Sequence, residues 1–283
     1  MSISFVLITF LLQLAVGMVA TVAVLPPKLV DNRFFRSISL WSTLFTVGAL
    51  VLRHFSHFSL PEIFRTAGPS SGTLWKADRI SFYFFGALTL QLWFRIQFRD
   101  AVPSRGEIFT LSGVGLAALV VDALLFRPEI SPAWAQDILI PLHFISAALI
   151  LGGFLSGMIF GHHYLVNTEM PKKLLVTMAW ILIAVLLFRA AAAGTTLLLY
   201  KEVIRPHSDF LTALISFRGH GIFFWQRVLV GFVIPAIVVV MIWSTARIGS
   251  NQSATGIMYV AIAFIFIGEL AARYLFLLSA IPL

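Results

Sequence analysis

The chain has 283 residues, 59% of them hydrophobic and only 11% Asp, Glu, Lys or Arg, with a mean hydropathy of +0.96. Soluble domains carry about a quarter charged residues, so this composition excludes one. The formal net charge is +8, but the basic residues are spread over short connectors and form no patch with interleaved aromatics, which argues against a nucleic-acid surface. The absence of cysteine excludes disulfides, thiolate-bound zinc and any cysteine-held iron–sulfur cluster in this chain.

The apolar residues are gathered into long runs, at about residues 3–25, 37–55, 80–98, 107–126, 137–165, 173–200, 222–245 and 256–280. None alternates with period two. In lipid the backbone must satisfy its own hydrogen bonds, so continuous runs of this length predict helices. The predicted fold is all-α and polytopic: one bundle of eight transmembrane helices, forming a single domain. Breakers stand between the runs, among them Pro26-Pro27, Pro61, Gly68-Pro69, Pro103, Pro128 and Pro171. The start, Met1-Ser2-Ile3-Ser4, lacks a basic segment and a cleavage site, so it reads as the beginning of the first span.

The connectors alternate in character. Those after spans one, three, five and seven are short and basic, holding Lys28, Arg33, Arg36, Arg99, Arg105, Lys172, Lys173 and Arg247. The positive-inside rule places them in the cytoplasm and both termini outside, in the periplasm for a protein of a bacterial inner membrane.

Ionisable residues inside a span are costly and mark function by default. Those present are Asp122 in span four, His143 in span five, Arg189 in span six, Arg227 in span seven, and Glu269 and Arg273 in span eight. His54 and His57 close span two, and Asp78 opens span three. In an up-and-down bundle His54, His57, Asp78, Asp122, His143, Arg227 and Arg273 all fall in one half of the membrane. Such a one-sided set predicts a redox or proton-coupled pocket rather than a relay across the bilayer. Glu269 and Arg273, one helical turn apart, also suit a plain ion pair.

A haem with two histidine ligands needs them at one depth on different helices. His54 or His57 facing His143 meets that condition, so one haem b is geometrically allowed. His162 and His163 are neighbours pointing about 100° apart and cannot clamp one iron. No other metal-ligand set is evident. In span five, Gly153 and Gly157, followed by Gly161, form overlapping small-xxx-small units that predict close packing of that helix.

Four segments together carry a family resemblance: Gln13-Leu-Ala-Val-Gly17, Gly152-Gly153-Phe-Leu-Ser-Gly157, Trp225-Gln-Arg227-Val-Leu229, and Gly268-Glu269-Leu-Ala-Ala-Arg273. In order and spacing the chain resembles the NrfD/DmsC/PsrC-type integral membrane anchor subunits of molybdopterin–iron–sulfur oxidoreductases. It departs from them after span two, where His54-Phe-Ser-His57-Phe-Ser-Leu-Pro61 stands in place of a His-Leu-Gly-x-Pro segment. The resemblance implies a subunit that works only within a complex, binding a membrane quinone (menaquinone or ubiquinone) near the external face. Its partners would be an iron–sulfur electron-transfer subunit and a catalytic or cytochrome subunit, docked on external segments bearing Trp75, Trp134 and His207. Asp78 corresponds to the family's acidic residue and His54 or His57 to its histidine, as proton acceptors. Arg227 and Arg273 would hold that carboxylate or a quinone carbonyl, with His143 and Glu269 completing the cofactor side. A haem-b cytochrome subunit, a transporter subunit and an inert anchor are the other readings of the same residues.

Overall fold

A computed structural model describes residues 3–55, 71–126, 133–166, 170–171, 173–201, 214–217, 221–279 and 281–283. Eight long helices run through them: α1 (Ile3–Val22), α2 (Asn32–Phe55), α3 (Ser71–Arg99), α4 (Arg105–Leu125), α5 (Ala133–Val166), α6 (Lys173–Leu199), α7 (Gly221–Arg247) and α8 (Asn251–Ser279). No strand occurs among the described residues. Several helices begin or end outside the apolar runs. Hydropathy reports only the lipid-immersed part, whereas the helical hydrogen bonds continue into polar turns. Thus α3 begins at Ser71 and α2 at Asn32.

Seven of these helices are long and apolar enough to cross a membrane, which makes the protein a multi-pass membrane bundle. The exception is α3, which corrects the count of eight apolar spans. Gln91, Arg95 and Gln97 interrupt its apolar surface, and Tyr83 and Trp93 contribute amphipathic rings.

The helices alternate in direction, as contacts at the two ends show. At one end Phe5 of α1 meets Phe126 just after α4, His143 of α5 meets Thr196 of α6, and Phe223 of α7 meets Tyr274 of α8. At the other end Asn32 of α2 bonds Asp100 after α3, Ser37 of α2 meets His163 of α5, and Trp180 of α6 meets Trp243 of α7.

The bundle is organised around α1. Its central 18-residue window is 78% buried, against 28% for α7 at the periphery. Hydroxyls from three neighbours donate to its backbone: Ser42 Oγ to the Ala15 carbonyl (2.8 Å), Ser112 Oγ to Val19 (3.3 Å) and Ser156 Oγ to Met18 (3.4 Å). Away from water such bonds join helices that hydrophobicity alone would not hold together.

The closest approach joins α1 to α5. A Cβ on Gly17 would overlap the Ala148 carbonyl, and one on Gly152 would overlap the backbone of Gly17 and Met18. Close packing of α5 therefore rests on Gly152, not on Gly157. A Cβ on Gly157 would meet only side-chain tips, at 3.2 Å from Leu182 Cδ1 and 3.3 Å from Met178 Cε.

Candidate functional site

The ionisable residues of one membrane half separate into two buried groups.

The first sits between α1, α5, α6, α7 and α8 around the Glu269 carboxylate, which is fully buried. Arg189 donates from Nε to Oε1 (2.9 Å) and from Nη2 to Oε2 (3.2 Å). Arg227 Nη2 lies 2.8 Å from Oε1, and Arg273 Nη1 lies 3.3 Å from Oε2. Arg273 also donates to Gln13 Oε1 on α1 and to the Glu269 carbonyl (2.7 Å). Arg189 reaches further, to His143 Nδ1 and the Leu283 carbonyl (2.7 Å each) and Ser146 Oγ (3.2 Å). A guanidinium only donates, so Nδ1 of His143 accepts and Nε2 carries the hydrogen that Thr196 Oγ1 takes at 2.7 Å.

Local structure explains how Arg227 reaches this carboxylate. Pro235 has no backbone N–H and its ring crowds the preceding turn. The chain ahead of it, Leu229–Val233, is wound as a π-helix between the α-helical stretches Gly221–Val228 and Ile234–Arg247. Gly231 in that segment meets Gly268, and with no side chain on either residue the two backbones come together and leave Arg227 beside Glu269. The Arg227 guanidinium also lies over the Phe232 ring at 4.2 Å.

Three guanidiniums around one carboxylate leave this group with a formal charge of +2. A cavity of about 30 Å³ lies against Gln13, His143, Arg189, Glu269 and Arg273. It has room for water but not for an aromatic ring.

The second group joins α2, α3 and α4. Arg53 forms an ion pair with Asp78, and its Nη2 lies 3.6 Å from Asp122 Oδ1. All three side chains are buried, and the Trp75 ring covers the guanidinium at 4.8 Å. Two carboxyls around one arginine reverse the charge balance of the first group. His54, next to Arg53, faces outward into a cleft of about 350 Å³ between α2 and α3, lined also by Thr43, Thr46, Leu50, Tyr83 and Leu90.

This geometry redraws the predicted partnerships. Asp78 is held by Arg53, whereas Arg227 and Arg273 belong to Glu269. The Glu269–Arg273 pair one turn apart is present, within a larger network. His143 does not face His54, because both of its ring nitrogens are engaged by Arg189 and Thr196. Trp75 is turned onto Arg53, while Trp134 is half exposed. His57 and His207 lie outside the described residues. Among the described residues no cluster of three His, Asp or Glu side chains is placed to hold a metal ion.

Arg53 is the residue that reading by apolar run overlooks, since a basic residue at a span end reads as an interfacial anchor. Its signal is periodicity. Ser39, Ser42, Thr46, Ala49 and Arg53 recur every three or four residues and form the buried face of α2.

No protein-family model matches the chain, and no curated protein matches it.

Proposed function

We propose that this chain is the quinone-handling membrane subunit of an oxidoreductase complex, exchanging electrons with an iron–sulfur or cytochrome partner. The observation that carries this reading is the α2–α3 cleft. Val47, Val51 and Phe55 on its rim are exposed apolar residues suited to an isoprenoid tail, while His54 and Tyr83 supply polar atoms for a ring oxygen. The Arg53–Asp78–Asp122 group begins at the residue before His54.

Oxidising a quinol yields the quinone, two protons and two electrons. His54 takes a proton at the ring oxygen, and the carboxyl pair offers a second acceptor held in register by Arg53. The electrons leave through a partner subunit, since this chain has no thiolate for a cluster. Quinone reduction is the same sequence reversed. The site is a bacterial inner-membrane one in this reading, with both termini periplasmic and α3 serving as an eighth crossing. On α3, Tyr83 then lines the cleft, Arg95 pairs with Glu107, and Gln97 accepts from Arg36 at 3.1 Å.

The test is quinol-dependent turnover of the complex purified with its partners. His54→Ala should lower kcat/KM at least about tenfold with unchanged subunit stoichiometry, and a photoreactive quinone should label α2 and α3. Normal turnover of His54→Ala with no label on either helix would overturn the assignment. Asp78→Asn is the weaker probe, because it also disturbs the pairing of a buried arginine.

One observation favours a transporter subunit instead: the π-helical interruption of α7 beside Arg227, since helices broken within the membrane characterise solute sites. Solute-driven uptake into vesicles without partner subunits would select that reading.

A further inference from the structure

At the opposite end of the bundle a groove of about 400 Å³ opens between α2, α5 and α8. Arg33, Ser37 and Trp41 line it from α2, His162 and His163 from α5, and Tyr259 from α8. Its polar groups converge from all three helices. Ser37 Oγ lies 3.5 Å from His163 Nε2, and the Tyr259 hydroxyl lies 3.4 Å from His162 Nδ1. The His163 ring is oriented by donating from Nδ1 to the Ile159 carbonyl at 3.0 Å. Arg33, His162 and Tyr259 are exposed, so the groove presents these groups outward.

We infer that this groove binds the headgroup phosphate of an acidic phospholipid. Three features support that occupant. The first is charge: an arginine, two imidazoles and two hydroxyls line the groove, and among the described residues no carboxylate does. A zwitterionic headgroup would find no counter-charge for its ammonium among the described residues, whereas a phosphodiester finds a charge-assisted donor and hydroxyls to share. The second is position. The groove lies at the end of the bundle that also carries Lys28, Arg36 and Arg247, and basic pockets between helices at such a face suit anionic headgroups. The third is continuity with the lipid-facing surface. Trp41 and Leu44 are 44% and 48% exposed and follow one another along α2 away from the groove. That apolar strip gives an acyl chain a track leading from the phosphate into the hydrocarbon layer, which a free phosphate ion would not use.

The inference depends on the membrane bundle and not on the quinone reading, and its test is independent of turnover. The full chain, extracted in detergent and stripped of loosely held lipid, is examined by native mass spectrometry and lipid analysis. Wild type should retain an acidic phospholipid, and Arg33→Gln should lower that retention roughly fivefold, the effect of one basic residue at a membrane surface. Arg33→Gln combined with His163→Ala should lower it further. Arg36→Gln, on the same helix but outside the groove, should lower retention clearly less than Arg33→Gln does, and an equal loss in the two would overturn the groove as the site. Tyr259→Phe serves as a milder probe that removes only the hydroxyl and should weaken retention. Phosphatidylcholine added back should not replace the acidic lipid, and millimolar inorganic phosphate should not displace it. Equal retention by wild type and the groove variants would overturn the inference. So would equal binding of phosphatidylcholine. Displacement by inorganic phosphate would show a free-anion site instead.

Discussion

Glu269 is the side chain on which the first buried group turns. It is the shared counter-charge of Arg189, Arg227 and Arg273, and all four side chains are buried. Removing one partner of a buried pair strands the other charge, at a cost of about 3–5 kcal/mol. Glu269→Gln, which keeps the shape, is therefore expected to destabilise the protein by at least that amount, read as a large fall in the thermal transition in detergent. The Arg95–Glu107 pair is the contrast. Its side chains are 36% and 37% exposed, so Arg95→Gln should change stability by less than about 1 kcal/mol. A small effect of Glu269→Gln would mean that the arginines find another counter-charge. The presence of Arg189, Arg227, Glu269 and Arg273 within the spans was legible in the sequence, and for Arg227 and Arg273 so was a shared membrane half. Their pairing was not, because every candidate arginine lies at a depth compatible with either carboxylate group, and choosing between them requires the helix neighbours.

Among the elements, the α1–α5 crossing is where sequence and geometry differ instructively. The run Gly152-Gly153-Phe-Leu-Ser-Gly157 announces a close approach but offers several glycines for it. Helix rotation selects Gly152, which faces Gly17 backbone to backbone, and leaves Gly157 against the flexible ends of Leu182 and Met178. Gly152→Leu should prevent α1 from seating and sharply reduce the yield of assembled protein. Gly157→Ala should be tolerated, with the neighbouring side chains giving way by a few tenths of an ångström. Size-exclusion profiles of the two variants check this, and a well-assembled Gly152→Leu protein would refute the close crossing. The π-helical turn of α7 had only a faint trace in the sequence, the lone Pro235. A proline predicts a local fault in a helix, but whether the fault becomes a kink or a π-turn depends on what the neighbouring helix accepts, here Gly268.

At the scale of the molecule, α3 decides the topology. Its neighbours α2 and α4 are apolar enough to cross a membrane, and it joins α2 through the Thr43–Thr89 hydrogen bond and the Arg53–Asp78 pair and α4 through the Arg95–Glu107 pair. A helix held by partners on both sides can afford polar residues that a lone span could not. The lack of native cysteine makes the test direct, since single cysteines can be introduced without background. Lys76→Cys and Asp100→Cys, at the two ends of α3, should react with an impermeant maleimide from opposite sides of the membrane. Labelling of both from one side would show that α3 does not cross.

Composition and run length alone determined that this is a multi-pass helical membrane protein, because burying a backbone in lipid leaves a continuous apolar stretch no other structure. They also excluded a cysteine-held cluster within these 283 residues, since no thiolate is present. Only tertiary structure decided which arginine neutralises which acid, which glycine lets two backbones touch, and which histidine is buried. Those outcomes depend on helix rotation and neighbour choice, and a linear pattern leaves both free.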